Sequence, residues 1–206
     1  MRPRSGWASW SEPLMPIFTP PPYESRSAGH GSRQDGGVPR LFVAARPTPA
    51  VADALTSIPP DPSPGVRMVP AVNWHVTLRF LGDVNTAATD EIVDRLRATP
   101  LPTATVVLGP RLVHLGPRQV VVPVAGADRL AEAITTATAD LSEPPRRTFT
   151  GHLTVARLRR GASSQLPGLP IEAGFTVEEI ELVESTLSPD GAVYETVDVF
   201  PTTDPS

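Results

Sequence analysis

The sequence predicts an α+β fold of two similar lobes that face each other across a cleft. Three observations lead to this prediction. An ordered domain begins abruptly at Arg40, after a proline-rich segment. From there, short apolar strands alternate with amphipathic helices along the chain. The same His-x-Thr pattern then occurs on two strands, 77 residues apart, as a weak internal repeat.

Residues 1–39 are predicted to form a disordered tail ahead of one domain over residues 40–206. They hold seven of the 26 prolines, together with many serines, glycines and arginines, and they show neither a strand period nor a helix period. Such a segment cannot bury enough apolar surface to offset the entropy that it would lose on ordering.

The first part of the domain is predicted to contain two strands, each followed by a helix. LFVAA forms a short apolar strand over 41–45, and a helix opened by a proline follows over 47–58. After a loop rich in proline and glycine, β-branched and aromatic residues predict a strand over 72–81. Asn85 or Thr86 then caps an amphipathic helix.

The second part is predicted to be richer in strands. A helix is expected over 127–141, and the turn Gly116-Pro117 joins the two strands that precede it. The five expected strands lie near 106–113, 119–124, 149–158, 177–186 and 192–200.

The composition excludes several classes of function. The chain has no cysteine and no lysine, which removes disulfides, thiolate metal sites, cysteine nucleophiles, Schiff-base chemistry and a lysine–nucleotide adduct. A net charge of −4 argues against broad binding to duplex nucleic acid. No apolar run is long enough to span a membrane, and the N-terminus lacks the apolar core of a secretory signal, so we expect a cytoplasmic protein.

The two His-x-Thr motifs are the main candidates for chemistry. Side chains two residues apart on a strand share a face, so His75 points the same way as Thr77, and His152 the same way as Thr154. The apolar residues between them point into the core of each lobe. If the lobes pack around a cleft, two imidazoles and two hydroxyls converge on it.

Such a set suits phosphodiester chemistry. Two histidines can act as general base and general acid on opposite sides of a phosphorus, because their pKa of about 6.5 allows one to be neutral and one protonated. Threonine hydroxyls can hydrogen-bond the non-bridging oxygens. The natural reaction is the in-line opening of a strained cyclic phosphodiester, without a metal.

Two other interpretations compete with this one. A single His-x-Thr on a strand is common and usually structural, but a matched pair that uses two of the four histidines is much less expected by chance. A metal site is the second alternative. It is weak because no third histidine or carboxylate lies at ligand spacing on either strand.

Four segments carry a resemblance to a known family: RLFVAA (40–45), NWHVTLRFLGDV (73–84), FTGHLTVARL (149–158) and LVESTLSPDGAVYETV (182–197). Over residues 40–200 the chain resembles the 2H phosphoesterase superfamily, and within it the bacterial and archaeal RNA 2′,3′-cyclic phosphodiesterases, also called 2′-5′ RNA ligases. The resemblance implies antiparallel sheets with helices on their outer faces and the paired motif strands along the cleft. Gly151 departs from it, since many relatives have proline there, and should loosen the start of the strand slightly.

The resemblance also implies roles for the motif residues. His75 would be the proton donor to the leaving oxygen, and His152 the base that activates water. Thr77 and Thr154 would hold the phosphate. Arg157 matches an arginine implicated in catalysis in the family.

The arginines carry more than one interpretation. Strand alternation places Arg157 on the face opposite His152, so the strand must end or twist there. Alternation places Arg79 on the face of His75, where it could bind phosphate. A solvated or structural arginine is an equally good interpretation of both.

The resemblance implies hydrolysis of RNA 2′,3′-cyclic phosphate ends to 2′-phosphates, with reversible, ATP-independent 2′-5′ ligation at the same site. We expect no cofactor and a monomeric enzyme. The substrates would be RNA ends, including tRNA-like fragments, or small cyclic phosphates. Alternatives are a 2H phosphodiesterase acting on a small cyclic nucleotide or a cyclic ADP-ribose phosphate, and a non-catalytic RNA-end binding module, against which the two intact motifs argue.

Contacts with RNA are predicted from a basic patch and two aromatic residues. Phe42 or Tyr194 could stack on the terminal base, although packing in the core is an equally good interpretation of Phe42. The patch would steer a phosphate terminus and consists of Arg146, Arg147, Arg157, Arg159 and Arg160.

Overall fold

The structure is a computed structural model that describes residues 40–145, 147–188 and 191–204. The tail predicted over residues 1–39 and the predicted patch residue Arg146 lie outside the described residues. None of the helices in the described ranges has the length and apolar character needed to cross a membrane.

Three helices and ten strands form within the described residues. The helices are α1 (Pro49–Thr56), α2 (Thr86–Ala98) and α3 (Asp128–Ala137). The strands are β1 (Arg40–Ala45), β2 (Val66–Met68), β3 (Val76–Asp83), β4 (Ala104–Leu108), β5 (Val113–His114), β6 (Gln119–Ala125), β7 (His152–Leu158), β8 (Ala173–Val177), β9 (Glu179–Ser188) and β10 (Gly191–Pro201).

The strands form a sheet in which the two motif strands are central neighbours. The strand order is β10-β9-β1-β3-β7-β6-β4-β8, with antiparallel pairing between neighbours, while β2 pairs with β7 and β5 with β6. Two four-stranded halves therefore meet where β3 lies beside β7, and they meet through one registered pair, Val76 and Leu153. This arrangement confirms the predicted α+β fold.

The two faces of β1 show how the sheet divides its side chains. Leu41 and Val43 are fully buried in a main apolar core that also contains Ile92 of α2 and Leu130 of α3. The alternate residues of β1 face the other side and form a small second cluster with Val183 and Tyr194. Because that second cluster includes Phe42, whose ring contacts His75, the second face is the one that carries the first motif.

Some boundaries differ from the sequence-based predictions. The strand predicted from residue 72 begins at Val76, because Ala71–Asn73 form a 3-10 turn in which the Trp74 N–H bonds to the Ala71 oxygen at 3.0 Å. Strands β2 and β8 were not predicted. Both are short, and they form because β7 and β4 offer them edges to pair with.

Asp61 ties together two loops that are distant in the sequence. Its buried carboxylate accepts hydrogen bonds from Ser164 Oγ at 2.6 Å, from Gln165 N at 2.8 Å and from Ser63 N at 2.9 Å. Burial alone would raise the pKa of Asp61, but these hydrogen bonds together hold it far below its ordinary value. The loop after α1 is thereby fixed to the loop after β7.

Replacing Asp61 by asparagine should destabilise the fold by about 2–4 kcal/mol at pH 7, because hydrogen bonds to a charged acceptor are lost. The pKa of Asp61 is lowered in the folded state, so its contribution is present above the ordinary value of 3.8 and is lost as the pH falls below it. Urea unfolding at pH 7 and pH 3 should therefore show a difference between wild type and Asp61→Asn that shrinks in acid. Asp53→Asn, an exposed carboxylate on α1, is the control and should change little; an equal loss at both pH values would contradict the account.

Candidate active site

The centre of the sheet brings the two motifs together. Val76 opposes Leu153 in an antiparallel pair, so one residue to either side His75 opposes Thr154, and Thr77 opposes His152. Directly opposed residues share a face of the sheet, and all four of these side chains are half-buried. Each histidine therefore lies beside the threonine of the other motif.

Both imidazoles are held by the same local hydrogen bond. His75 Nδ1 lies 2.8 Å from the Asn73 oxygen, and His152 Nδ1 lies 2.7 Å from the Thr150 oxygen. A carbonyl oxygen only accepts, so Nδ1 is the donor in each ring. This leaves Nε2 of each histidine as the atom that can take or give a proton.

His75 also packs against two aromatic rings. The ring centroids of Phe42 and Tyr194 lie 5.0 and 5.3 Å from that of His75. Phe42 is only 5% exposed, so its predicted role as a stacking surface for a base is poorly supported by its position. Its ring supports His75 instead, while Tyr194 remains partly exposed.

The pKa of His75 is lowered in the folded protein. Burial is the main cause, and the positive charges of Arg46, Arg157 and His152 act in the same direction. The hydrogen bond to Asn73 opposes them only in part. Arg157 lines the same cavity as His75, and the register of β3 and β7 brings the second histidine beside Thr77.

Two cavities open on the motif residues. The larger, of about 910 Å³, is lined by Thr77 and His152, and the smaller, of about 140 Å³, by His75 and Thr154. Each cavity therefore receives one histidine together with the threonine of the other motif.

A β-bulge places Arg157 beside the motif. Val121 pairs with Thr154 and Val120 pairs with Ala156, so Val155 is an extra residue in β7. Alternation shifts by one residue there, and Arg157 lies on the face of Thr154, exposed and lining the smaller cavity. As expected from the sequence, the strand must end or twist if Arg157 is to reach the site, and the β-bulge meets this requirement.

A second bulge has the opposite effect on Arg79. Ala44 pairs with Thr77 and Val43 pairs with Arg79, which makes Leu78 the extra residue in β3. Because Val43 faces the main core, Arg79 lies on that side of the strand, and the predicted face shared with Thr77 is not found.

Arg79 is instead buried between β3 and the segment that follows α3. It is 4% exposed, and its Nη2 donates to Ser142 Oγ at 3.1 Å and to the Glu143 oxygen at 2.7 Å. Burial lowers its pKa. Its Nε and Nη1 have no hydrogen-bond partner among the described residues, and Arg79 contributes to the wall of the larger cavity. Direct binding of the reacting phosphate by Arg79 remains a prediction.

The other members of the predicted basic patch are spread out. Arg147 is exposed at the larger cavity, whereas Arg159 and Arg160 are exposed at the turn after β7 and line neither cavity. In the described ranges, no three histidine or acidic side chains are grouped as ligands for a metal ion.

Gly151 lies at a point where two strands pass very close. The Val124 N–H donates to the Gly151 oxygen at 2.9 Å, and a Cβ at position 151 would stand 2.3 Å from the Val124 oxygen. That glycine loosens the strand start stays a prediction. Glycine allows β6 and β7 to approach beside His152.

Comparison with known proteins gives a match to one family model over part of the chain and several solved structures of similar fold. Residues 46–109, which include the first motif, match the family described as LigT like phosphoesterase. The protein TT0787 of Thermus thermophilus is 25% identical, with a TM-score of 0.69 over 80% of this chain and 98% of that one. E. coli LigT, in a crystal structure with 3′-AMP, is 24% identical, with a TM-score of 0.66 over 81% of this chain and 99% of that one. The MHV ns2 PDE domain is 16% identical, with a TM-score of 0.52 over 71% and 99%.

The family match covers less than a third of the chain, and the solved structures share its fold. The family match ends before β7, so it does not include the second motif. That motif is placed by the sheet register described above.

Proposed function

We propose that this protein hydrolyses the 2′,3′-cyclic phosphate at RNA ends to a 2′-phosphate by acid–base catalysis with two histidines. The observation that carries the proposal is the register of β3 and β7. It places the histidine of each motif beside the threonine of the other, and each Nδ1 is anchored to a backbone oxygen, so both Nε2 atoms are available.

In this mechanism His152 Nε2 accepts a proton from water as the water oxygen forms a bond to phosphorus. The bond from phosphorus to the ribose 3′ oxygen breaks, and His75 Nε2 donates a proton to that oxygen. Thr77 and Thr154 donate hydrogen bonds to the non-bridging oxygens, where negative charge increases in the transition state. The exposed guanidinium of Arg157 lines the same small cavity as His75 and favours an anion there.

The same groups can serve a ligation. A 5′-hydroxyl that takes the place of water would attack the phosphorus and form a 2′-5′ linkage, with the 3′ oxygen leaving as before. No ATP is required, because the bond that breaks belongs to the strained ring.

Two alternative functions can be distinguished from the proposed one by their substrates and products. A phosphodiesterase for a small cyclic nucleotide or a cyclic ADP-ribose phosphate would use the same groups, and the larger cavity, of about 910 Å³, has the size of a small-molecule site. An RNA-end binding module would bind cyclic phosphate ends and release them unchanged. The matched anchoring of both imidazoles favours an enzyme over this module.

Product analysis tests the proposal. An RNA oligonucleotide with a 2′,3′-cyclic phosphate end should be converted to its 2′-phosphate, as followed by phosphorus NMR. It should react faster than a 3′,5′-cyclic nucleotide or an ADP-ribose cyclic phosphate, and the double variant His75→Ala/His152→Ala should react at least roughly 10²-fold more slowly than the wild type. A 3′-phosphate product, faster turnover of the small substrates, or binding without turnover would each reject the proposed reaction.

The dependence of kcat/KM on pH should be bell-shaped, with one limb below pH 6.5. Burial and nearby positive charges lower the pKa of His75 from 6.5, and the active form needs one protonated and one neutral histidine. The two limbs belong to the coupled pair rather than to single residues. Arg46→Gln removes one of the charges that lower the pKa of His75, so the lower limb should move to higher pH.

Arg95→Gln is the control for the pH experiment. Arg95 makes exposed ion pairs with Glu91 and Asp140, so its loss should leave both limbs in place. The assignment of His75 to the catalytic pair would be contradicted if both limbs of the pH profile lie above pH 6.5. It would also be contradicted if Arg46→Gln leaves the lower limb in place.

A further inference from the structure

The ring of His75 is anchored to a short turn at the protein surface. Its Nδ1 donates to the oxygen of Asn73, the last residue of the 3-10 turn Ala71–Asn73. None of the three residues of this turn is buried, and Val72 is 76% exposed. Because such a turn buries little apolar surface of its own, contacts from elsewhere in the fold decide how firmly the Asn73 oxygen is held.

Arg46 supplies a contact of this kind. Its Nη1 donates to the Val72 oxygen at 2.8 Å, one residue before Asn73. Ala45, the last residue of β1, pairs with Val76, so the next pair along the antiparallel ladder is Arg46 and His75. The guanidinium therefore lies beside the imidazole and holds the turn that anchors it.

Glu181 on β9 fixes the other side of this guanidinium. Arg46 Nε lies 3.0 Å from each carboxylate oxygen of Glu181, and Thr196 Oγ1 on β10 donates to Oε2 at 2.9 Å. The Glu181 side chain is only 15% exposed, so this ion pair is better shielded from water than a surface pair. Glu181 also opposes Ala44 of the second cluster, which places it on the face of the motif side chains. A chain of contacts thus runs from Glu181 through Arg46 and the turn to His75.

We propose that Glu181 and Arg46 are positioning residues for His75, which hold the turn so that the ring proton stays on Nδ1 and Nε2 stays aligned with the leaving oxygen. The inference rests on the proposed function for the role of His75, but the position of the ring proton can be measured without substrate. If the turn loosens, the ring can rotate. Because the proton of His75 is used only in the transition state, kcat should then fall with little change in KM.

The first test locates the ring protons by NMR at about pH 8, where both imidazoles are neutral. Long-range ¹H–¹⁵N correlations show which ring nitrogen carries the proton. In the wild type, His75 and His152 should both carry it on Nδ1. In Glu181→Gln, His75 should show a population with the proton on Nε2. His152 is the internal control and should not change, because its ring is anchored to Thr150 rather than to the turn.

The second test is kinetic and uses a cyclic phosphate substrate. Glu181→Gln should lower kcat by roughly 10-fold and leave KM within about twofold of the wild type. Glu179→Gln removes an exposed carboxylate from the same strand and should change neither constant.

Arg46→Lys separates the charge of Arg46 from its geometry. The positive charge beside His75 remains, so the limbs of the pH profile should stay in place. A single ammonium group cannot replace two nitrogens that hold different partners, so kcat should fall as in Glu181→Gln. The double variant Glu181→Gln/Arg46→Lys should lose little more than either single variant, because both residues act through the same turn.

The outcomes separate this inference from the proposed function. A His75 ring proton that stays on Nδ1 in both Glu181→Gln and Arg46→Lys would overturn the inference, and so would equal losses of kcat in Glu181→Gln and Glu179→Gln. If the wild type turns over no cyclic phosphate, the proposed function fails, and the NMR result alone decides the positioning role. If Glu181→Gln does not fold, Arg46→Lys provides the same two measurements.

Discussion

Replacing either His75 or His152 by alanine should reduce turnover by roughly 10²–10⁴-fold, the usual effect of removing a positioned general acid or base. Both side chains are half-buried, and among the residues that the structure describes each ring bonds to a backbone oxygen two residues earlier. The fold should therefore survive either change, as circular dichroism and the unfolding midpoint would show.

The double variant should lose less than the product of the two single losses, because the two histidines act on one transition state. His114→Ala is the matched control. His114 is exposed on β5 and lines neither cavity, so its loss should leave turnover unchanged. Near-full activity in His75→Ala or in His152→Ala would reject the paired mechanism.

Gly151→Ala should also have a large effect, of about 10²-fold on kcat/KM. The added Cβ would stand 2.3 Å from the Val124 oxygen, so β6 and β7 must separate by about an ångström beside His152. A displacement of that size in a catalytic group is enough for a loss of this order. The measurement is kcat/KM on the cyclic phosphate substrate, normalised to the folded fraction.

Gly174→Ala provides the control for this effect. A Cβ at position 174 would stand 2.9 Å from the Val106 oxygen, so the substitution also forces two strands apart, but on β8 at the end of the sheet. It should lower stability and leave the normalised kcat/KM near the wild-type value. Equal activity losses in the two variants would show that the effect at Gly151 is general destabilisation.

The α+β class and the order of most elements follow from local patterns, whereas the convergence of the two motif strands is expected only if the two lobes pack around a cleft. Alternation placed His75 with Thr77 and His152 with Thr154, and the register of Val76 with Leu153 adds which histidine lies beside which threonine. That register depends on long-range pairing, which no segment specifies on its own.

The two arginines show where strand alternation alone does not predict which face of the sheet a side chain lies on. The extra residues Leu78 and Val155 sit in bulges whose positions depend on the partner strand, so one bulge moves Arg79 toward the core and the other brings Arg157 to the site. The aromatic residues show the same limit. Phe42 is buried and Phe80 is exposed, although the two are cross-strand neighbours, because β1 is covered by the second cluster and the end of β3 borders the cavity.

The central claim is that two histidines perform the reaction between them. The most direct test of this claim is to measure turnover in the absence of metal. The wild-type protein would be treated with a chelator, its metal content measured, and its rate on a 2′,3′-cyclic phosphate RNA end recorded at the pH of maximum activity. The mechanism predicts that the treated enzyme has the same rate as the untreated enzyme, because imidazole and hydroxyl groups supply every proton transfer and hydrogen bond in it. A rate that disappears on chelation and returns with zinc or magnesium would contradict it.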